Sequence, residues 1–161
     1  MTNSSNLIDS LEVYVLNNPN DVKPHWVSHF IVPTANELLI KIKNKNGNSG
    51  FGLATSYSDI SPIIKPFSND LQDFIIGQDP FCPEKIYESI FKLTDTRISS
   101  EKGWSKEALI RISAALDIAC WDLMGKSSNI PLYKLFGGYR NKIPVYVTCG
   151  YYREGKTETE L

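Results

Sequence analysis

The sequence has little excess charge of either sign, since 17 basic and 18 acidic residues give a net charge of −1. The two signs are mixed along the chain, with no basic stripe and no acidic block. Nucleic acids and anionic membrane surfaces bind clustered basic residues, so the sequence favours neither partner. It also lacks an apolar run near the ~20 residues of a membrane helix, and its first residues lack the features of a secretory signal.

Cysteine is scarce as well. Cys82, Cys120 and Cys149 are odd in number, far apart, and form no CxxC pair. This usage predicts three reduced thiols in a cytoplasmic protein. Cys149 has no histidine nearby in the sequence to activate it, so we do not assign it a nucleophilic role.

The 161 residues are about one domain's worth of chain, with an ordinary hydrophobic content of 42%. Three segments predict strands: Ile8–Leu16, residues 26–32 and residues 37–43. In the third, apolar residues alternate with lysines, which is typical of a sheet with one wet face. Short connections make these three segments an antiparallel meander. The Gly-Phe-Gly of residues 50–52 predicts a turn after the third strand.

Helical signals follow the meander. Ser61 and Pro62 predict the start of a helix that ends at Gly77, and residues 84–94 predict a second helix. Residues 95–103 are polar and irregular, so we expect a loop there. Ser105 predicts the N-cap of a third helix.

The third helix is apolar on nearly every side over residues 108–124. Such a helix is expected to be buried on nearly every side. A helix sandwiched between two domains meets that condition, whereas an isolated domain of this size would leave apolar surface exposed.

The last part of the chain predicts a short helical segment, a strand and the start of another helix. Residues 131–136 form the first, and residues 143–148, IPVYVT, form the strand. Thr157 and Glu160 have the spacing of a capping box. A strand followed by a loop and a helix is the repeating step of a (β/α)₈ barrel.

The order of several short motifs carries a resemblance to a known family. Residues 115–123, ALDIACWDL, are followed by GK, PL and LFGG, and residues 77–80, GQDP, precede them. Together with the meander, these motifs resemble the N-terminal region of the enolase superfamily, in its mandelate racemase/muconate lactonizing branch.

The resemblance implies an α+β capping domain plus the first strand of a truncated TIM barrel. We place the capping domain and its linker helix at residues 1–126 and the start of the barrel at residues 127–161. A barrel needs roughly 250 residues, and only residues 139–161 follow Gly138. We therefore expect a cap without most of its barrel.

The resemblance also implies a chemistry. In this family, three carboxylates on barrel strands hold Mg²⁺, which stabilises the enediolate formed when a base removes the proton α to a carboxylate. The substrate is a carboxylate-bearing small molecule, here a hydroxy acid or sugar acid to be dehydrated or racemised. The metal ligands and bases would lie on later strands, so we assign no catalytic and no metal-binding residue. We expect the complete protein to be a homo-oligomer.

The part of such an enzyme that the cap supplies is a lid of two loops over the barrel mouth. The resemblance places the first loop near residues 18–28 and the second near residues 53–59. Five residues are candidates for lining the substrate pocket: His25, Trp26, Tyr57, Thr148 and Tyr151.

Each main candidate also has a purely structural explanation. His25 could be a solvated residue at a strand end, Trp26 a core anchor, and Thr148 an ordinary β-branched strand residue. His25 and His29 have HxxxH spacing, but in a strand they lie about 13 Å apart, which argues against a shared metal.

Charged residues on the third helix have simple interpretations. The i,i+4 pairs Glu107–Arg111 and Asp122–Lys126 are typical of helix ion pairs. Asp117 and Asp122 are five positions apart and face different ways, so they cannot chelate one ion together.

Two other functions stay open at this point. The chain could be a non-enzymatic remnant or interaction module that reuses the cap fold, or it could be one half of a split enzyme. A domain that functions alone should have polar residues where the barrel would pack, and the apolar third helix argues against that.

Overall fold

The computed structural model describes residues 4–17, 23–26, 29–32, 36–57, 59–68, 70–148 and 151–160. These residues form six strands: β1 (Ile8–Leu16), β2 (His25–Trp26), β3 (Ile31–Val32), β4 (Asn36–Asn44), β5 (Ser49–Ser56) and β6 (Tyr152–Arg153). They also form five α-helices: α1 (Ser61–Ser68), α2 (Pro83–Leu93), α3 (Arg97–Lys102), α4 (Lys106–Ser128) and α5 (Leu132–Leu135).

The main sheet is an antiparallel meander in the order β1-β4-β5. Strands β1 and β4 confirm two of the three predicted members. The third member is β5, and the prediction of a turn at residues 50–52 was therefore wrong. Positions 50 and 52 admit only glycine, because the backbone of helix α4 packs directly against them. A Cβ on either residue would lie 1.9 Å from a carbonyl oxygen of α4.

Two short strands, β2 and β3, are described where the sequence predicted a single strand over residues 26–32. Strand β2 pairs antiparallel with β3, with His25 opposite Val32 and Trp26 opposite Ile31. The other edge of β2 pairs with β6, which completes a small second sheet in the order β3-β2-β6. Alternating apolar residues are typical both of one continuous strand and of two short paired strands. The sequence pattern therefore could not distinguish these two arrangements.

The second predicted helix is confirmed by α2, whereas the first ends at Ser68 instead of continuing to Gly77. Helix α1 begins at Ser61, a short 3-10 helix covers Leu71–Phe74, and Gly77 has a φ of +81° at the end of the segment. The Gly77 N–H donates to the Ile8 carbonyl (2.8 Å), and the Ile8 N–H donates to the Gln78 carbonyl (2.9 Å). These two hydrogen bonds tie the start of the meander to the end of the first helical segment.

Helix α3 lies where the sequence predicted a loop. Its six residues are too few for a periodic apolar pattern, and only Ser99 is buried. The Ser99 hydroxyl donates to the Leu93 carbonyl at the end of α2, and Arg97 pairs with Glu101 one turn on (2.6 Å). Local polar contacts therefore stabilise a helix that hydrophobic periodicity cannot indicate.

Helix α4 has 23 residues and is the longest of the described helices. The predicted N-cap is confirmed, because the Ser105 hydroxyl accepts a hydrogen bond from the Ala108 N–H (3.1 Å). One side of α4 packs on β5 and β4. The core residues shared by α4 and β4 are Leu38, Ile40, Ile42, Leu109, Ile112, Leu116 and Leu123. The opposite side is open, with Ile110 41% and Ile118 52% exposed, which is the apolar surface that the sequence predicted for an isolated domain.

The predicted strand at residues 143–148 is not formed. Ile143, Val145, Tyr146 and Val147 are 69–91% exposed and none of the described residues pairs with this segment. A strand is stable only where its N–H and C=O groups meet a partner strand, and no neighbouring strand is available here. The short helix α5 before it confirms the prediction for residues 131–136.

The end of the chain has the local contact that its sequence predicts. The Thr157 N–H and hydroxyl both donate to Glu160 Oε2 at 2.9 Å, next to a 3-10 helix over Glu158–Glu160. No helix in the described part of the chain is long and apolar enough to cross a membrane.

We expect the buried thiol of Cys120 to make the domain sensitive to alkali. Cys120 is 0% exposed, and burial, with smaller effects from Asp117 and Asp79, raises the pKa of its thiol to about 12. An unfolded thiol ionises at lower pH, so the unfolded state loses this proton first. The free energy of unfolding should then fall by about 1.4 kcal/mol per pH unit in the alkaline range below the native pKa.

Urea unfolding of the wild type and of Cys120→Ala at pH 8 and at a pH between about 10 and 11 measures this effect. The wild type should lose more stability across that interval than the variant. Equal losses in the two proteins would show that Cys120 does not govern the alkaline response.

Candidate functional site

The small sheet brings together three of the residues that the sequence singled out. Because β6 pairs with β2, Trp26 lies opposite Tyr152 and His25 opposite Arg153. The His25 and Tyr151 rings are 5.0 Å apart between centroids and tilted by 48°, and the Trp26 and Tyr152 rings are stacked at 6.2 Å. We call these four side chains the aromatic cluster; because successive strand residues point to opposite faces of a sheet, its two ring pairs lie on opposite faces of the small sheet.

The aromatic cluster is partly open. Trp26 is 36%, Tyr151 40% and Tyr152 51% exposed, and His25 is half-buried. Each ring therefore has one side against its neighbour and one side free to contact a ligand. Tyr152 was missed among the candidates, because only the pairing of two segments some 125 positions apart gives it a neighbour, and no local pattern reports such pairing.

The first predicted loop is described only in part. Its residues 18–22 and 27–28 lie outside the described residues. Those that are described at its end, His25 and Trp26, belong to β2.

The second predicted loop is shorter than the sequence suggested. Strand β5 continues to Ser56, so residues 53–56 are strand and the loop begins at Tyr57. The Tyr57 side chain is 55% exposed at this position. In the described part of the chain, no ring contact joins Tyr57 to the aromatic cluster.

The far end of this loop is held by Asp59. Its Oδ1 accepts hydrogen bonds from the N–H (3.0 Å) and the hydroxyl (2.7 Å) of Ser61, at the start of α1. The pKa of the Asp59 carboxyl is lowered, because both bonds stabilise its ionised form. The Ser56 hydroxyl also donates to the Asp59 carbonyl (3.3 Å), which links the two ends of the loop directly.

Thr148 ends the unpaired segment that was predicted as a barrel strand, and its side chain is exposed. The structure therefore gives the five candidates three settings. His25, Trp26 and Tyr151 share the aromatic cluster, Tyr57 lies on a separate loop, and Thr148 lies on an unpaired segment.

The described residues do not fit a metal site. No three His, Cys, Asp or Glu side chains among them come close enough to hold an ion. Mg²⁺ needs several oxygen ligands in an octahedral arrangement, and one or two scattered carboxylates do not supply it. The described part of the chain thus has no Mg²⁺ centre of its own.

The two aspartates of α4, Asp117 and Asp122, have different hydrogen-bond partners. Asp122 Oδ2 accepts from the Phe51 N–H (2.9 Å) and from Lys126 Nζ (2.5 Å). Asp117 lines the same surface groove beside α4 as Asp122 but has other neighbours. Burial and then the nearby Glu84 raise the pKa of its carboxyl, while a hydrogen bond from Trp121 acts in the opposite direction. The two side chains therefore have different partners, as the helix spacing predicted.

An apolar groove of about 630 Å³ lies beside the exposed side of α4. Its apolar lining residues are Phe51, Ile118, Trp121, Leu132 and Phe136. The Trp121 and Phe136 rings are 4.8 Å apart, and Phe136 is 62% exposed. A contiguous apolar surface of this kind marks an interaction site in soluble proteins.

The meander and the long helix beneath it define a capping domain of the enolase superfamily. The chain belongs to the mandelate racemase/muconate lactonizing enzyme family, whose N-terminal domain matches residues 10–137. The predicted fold class is thereby confirmed.

The curated relatives include dehydratases and epimerases. The hydrophobic dipeptide epimerase of Enterococcus faecalis is 40% identical over 127 residues, covering 74% of this chain and 31% of that enzyme. The arabinonate dehydratase of Saccharolobus solfataricus is 30% identical over 121 residues, covering 75% of this chain and 31% of that enzyme. The chain thus spans about a third of the length of the curated relatives it matches.

Solved structures agree with this assignment. A crystal structure of a mandelate racemase/muconate lactonizing enzyme aligns with a TM-score of 0.75 at 25% identity, covering 92% of this chain and 39% of that one. The dipeptide epimerase from Enterococcus faecalis, complexed with Mg and the dipeptide L-Leu-L-Tyr, aligns at 0.57 and 26% identity, covering 84% and 36%. The family thus includes magnesium-bound enzymes that act on small carboxylates.

Proposed function

We propose that this chain supplies the substrate-specificity lid of a Mg²⁺-dependent enolase-superfamily enzyme. The observation that carries the proposal is the aromatic cluster, in which residues of the first lid segment meet residues that follow the predicted first barrel strand. Half-open aromatic rings can contact a small substrate and exclude water from it, which strengthens the electrostatic interactions inside a closed site.

The reaction we assign to the whole enzyme is proton abstraction α to a carboxylate. The substrate class is a carboxylate-bearing small molecule, and the outcome is dehydration of a hydroxy or sugar acid, or racemisation. Bound Mg²⁺ would stabilise the enediolate, and its ligands are not among the described residues. Residues 1–126 form the cap and residues 127–161 the start of the barrel in this proposal, and the complete enzyme is a homo-oligomer.

The described chain alone is proposed to be inactive, because it lacks a metal centre and a placed base. The groove lined by Ile118, Trp121 and Phe136 is the surface against which the rest of the enzyme would pack, on the same chain or on a second one. A non-enzymatic interaction module would use the same groove for another protein, and the experiment below separates these functions.

We expect catalysis to appear when residues 1–153, which include the whole aromatic cluster, replace the corresponding N-terminal part of the Enterococcus faecalis dipeptide epimerase. The first chemical step is measured by ¹H NMR in D₂O, with Mg²⁺ and a hydrophobic dipeptide present. The readout is the loss of the α-proton signal of the substrate. The 161-residue chain alone should give no exchange with dipeptides or sugar acids. In the chimera, Tyr57→Ala should change the ratio of kcat/KM between two dipeptides by about tenfold, the usual size of a pocket contact.

Tyr133→Ala is the matched control, since Tyr133 is 52% exposed on α5, away from the lid. It should leave the ratio unchanged. Exchange by the chain alone would overturn the proposed inactivity. A folded chimera without exchange would favour the interaction module.

A further inference from the structure

Strand β5 is the edge of the main sheet, and α4 packs across the face of the sheet at this edge. An edge strand presents N–H and C=O groups that no neighbouring strand pairs. Here two α4 side chains meet those groups: Asp122 accepts from the Phe51 N–H (2.9 Å), and Arg111 Nη1 donates to the Thr55 carbonyl. The helix thus holds β5 at its beginning and near its end.

The Arg111 guanidinium is itself fixed. Its Nε (3.1 Å) and Nη2 (2.8 Å) both donate to Oε1 of Glu107, one turn earlier on α4. Because the guanidinium is planar and rigid, two bonds along one edge determine where the third donor points. Glu107 therefore aims Arg111 at the Thr55 carbonyl. We call this arrangement the Arg111–Glu107 brace.

The brace acts two residues before Tyr57. On the other side of Tyr57, Asp59 is fixed to Ser61 and so to α1. The short segment that carries Tyr57 therefore begins and ends at polar anchors, each tied to a different helix.

Packing contributes little to holding the Tyr57 side chain, which is 55% exposed. A pocket of about 70 Å³ is lined in part by Ser56, Asp59 and Arg111. Among the described residues, hydrogen bonds at Thr55 and Asp59 hold the chain on either side of Tyr57.

We propose that Arg111 is a positioning residue for Tyr57. It fixes the end of β5 and so determines where the Tyr57 ring is presented. The consequence for catalysis rests on the proposed function, in which Tyr57 lines the substrate pocket, whereas the brace itself is a property of this chain.

Hydrogen–deuterium exchange of the 161-residue chain tests the brace without any substrate. Arg111→Met keeps the aliphatic stem and removes the donors. Exchange of the backbone amides in residues 55–61 should become about tenfold faster, while exchange in β4 stays unchanged, because only the local anchor is lost. Arg111→Lys has a single point charge that cannot bridge both partners, so it should give an intermediate rate.

Arg97→Met is the matched control. It also breaks an i,i+4 arginine–glutamate pair, on α3, with no contact to the lid. It should leave exchange in residues 55–61 at the wild-type rate.

Two results would overturn the positioning role. One is unchanged exchange in residues 55–61 of Arg111→Met, and the other is an equal increase in β4, which would make Arg111 a general stabiliser. Failure of the proposed function has a different signature: a correct exchange result combined with no effect of Tyr57→Ala on dipeptide preference in the chimera.

Discussion

Replacing Gly52 by alanine should destabilise the domain by about 3 kcal/mol or more, because the added methyl group meets the backbone of α4. A Cβ at this position would lie 1.9 Å from the Ala115 carbonyl oxygen and 3.1 Å from the Ala119 nitrogen. Backbone atoms of a packed helix cannot rotate away as a flexible side chain does, so α4 must move off β5. Moving it opens the core between sheet and helix along its whole length.

Urea unfolding followed by circular dichroism measures this loss. Gly47→Ala is the comparison, since its Cβ would meet no atom within 4 Å, although its φ of +86° disfavours alanine. That variant should lose only about 1–2 kcal/mol, the penalty of the backbone conformation alone. If Gly52→Ala were no worse than Gly47→Ala, close contact between α4 and β5 would not be the reason for glycine at position 52.

Replacing Leu116 by alanine should lower the free energy of unfolding by about 2–5 kcal/mol. Leu116 is 0% exposed and belongs to the core between α4 and the sheet. Removing its side chain leaves a cavity that the surrounding strands and helices can close only in part, and the lost contacts add to the lost hydrophobic burial.

The matched control is Ile118→Ala, two positions further along the same helix. Ile118 is 52% exposed in the groove, so its truncation should change stability by less than about 0.5 kcal/mol. Chemical denaturation of both variants and the wild type gives the comparison. A loss for Ile118→Ala as large as that for Leu116→Ala would mean that the groove is closed in solution by some other part of the protein.

The sequence predicted those elements whose signal is local and periodic. Strand β4 alternates cleanly, and α4 begins at a serine N-cap, so both were found with nearly correct bounds. Strand β5 was missed because its glycines are typical of turns, and their reason for being there is the α4 backbone, about 65 positions away.

The candidate site shows the same limit. His25, Trp26 and Tyr151 were chosen from the family resemblance, and what the sequence could not provide was their mutual contact. That contact depends on the pairing of β2 with β6, a two-residue ladder between distant segments. The role of Arg111 was likewise hidden, because the i,i+4 spacing indicates its pair with Glu107 but not its bond to the Thr55 carbonyl.

The side chains between β5 and α4 become larger along the strand, and this affects how easily each end of β5 can be displaced. The residues of β5 that face α4 are Gly50, Gly52, Ala54 and Ser56, so side-chain size increases toward Tyr57. At the beginning of the strand backbone lies on backbone with no free volume. At its end lies the pocket of about 70 Å³. The end of β5 that leads to Tyr57 can therefore be displaced toward α4 against less steric resistance than the beginning of the strand.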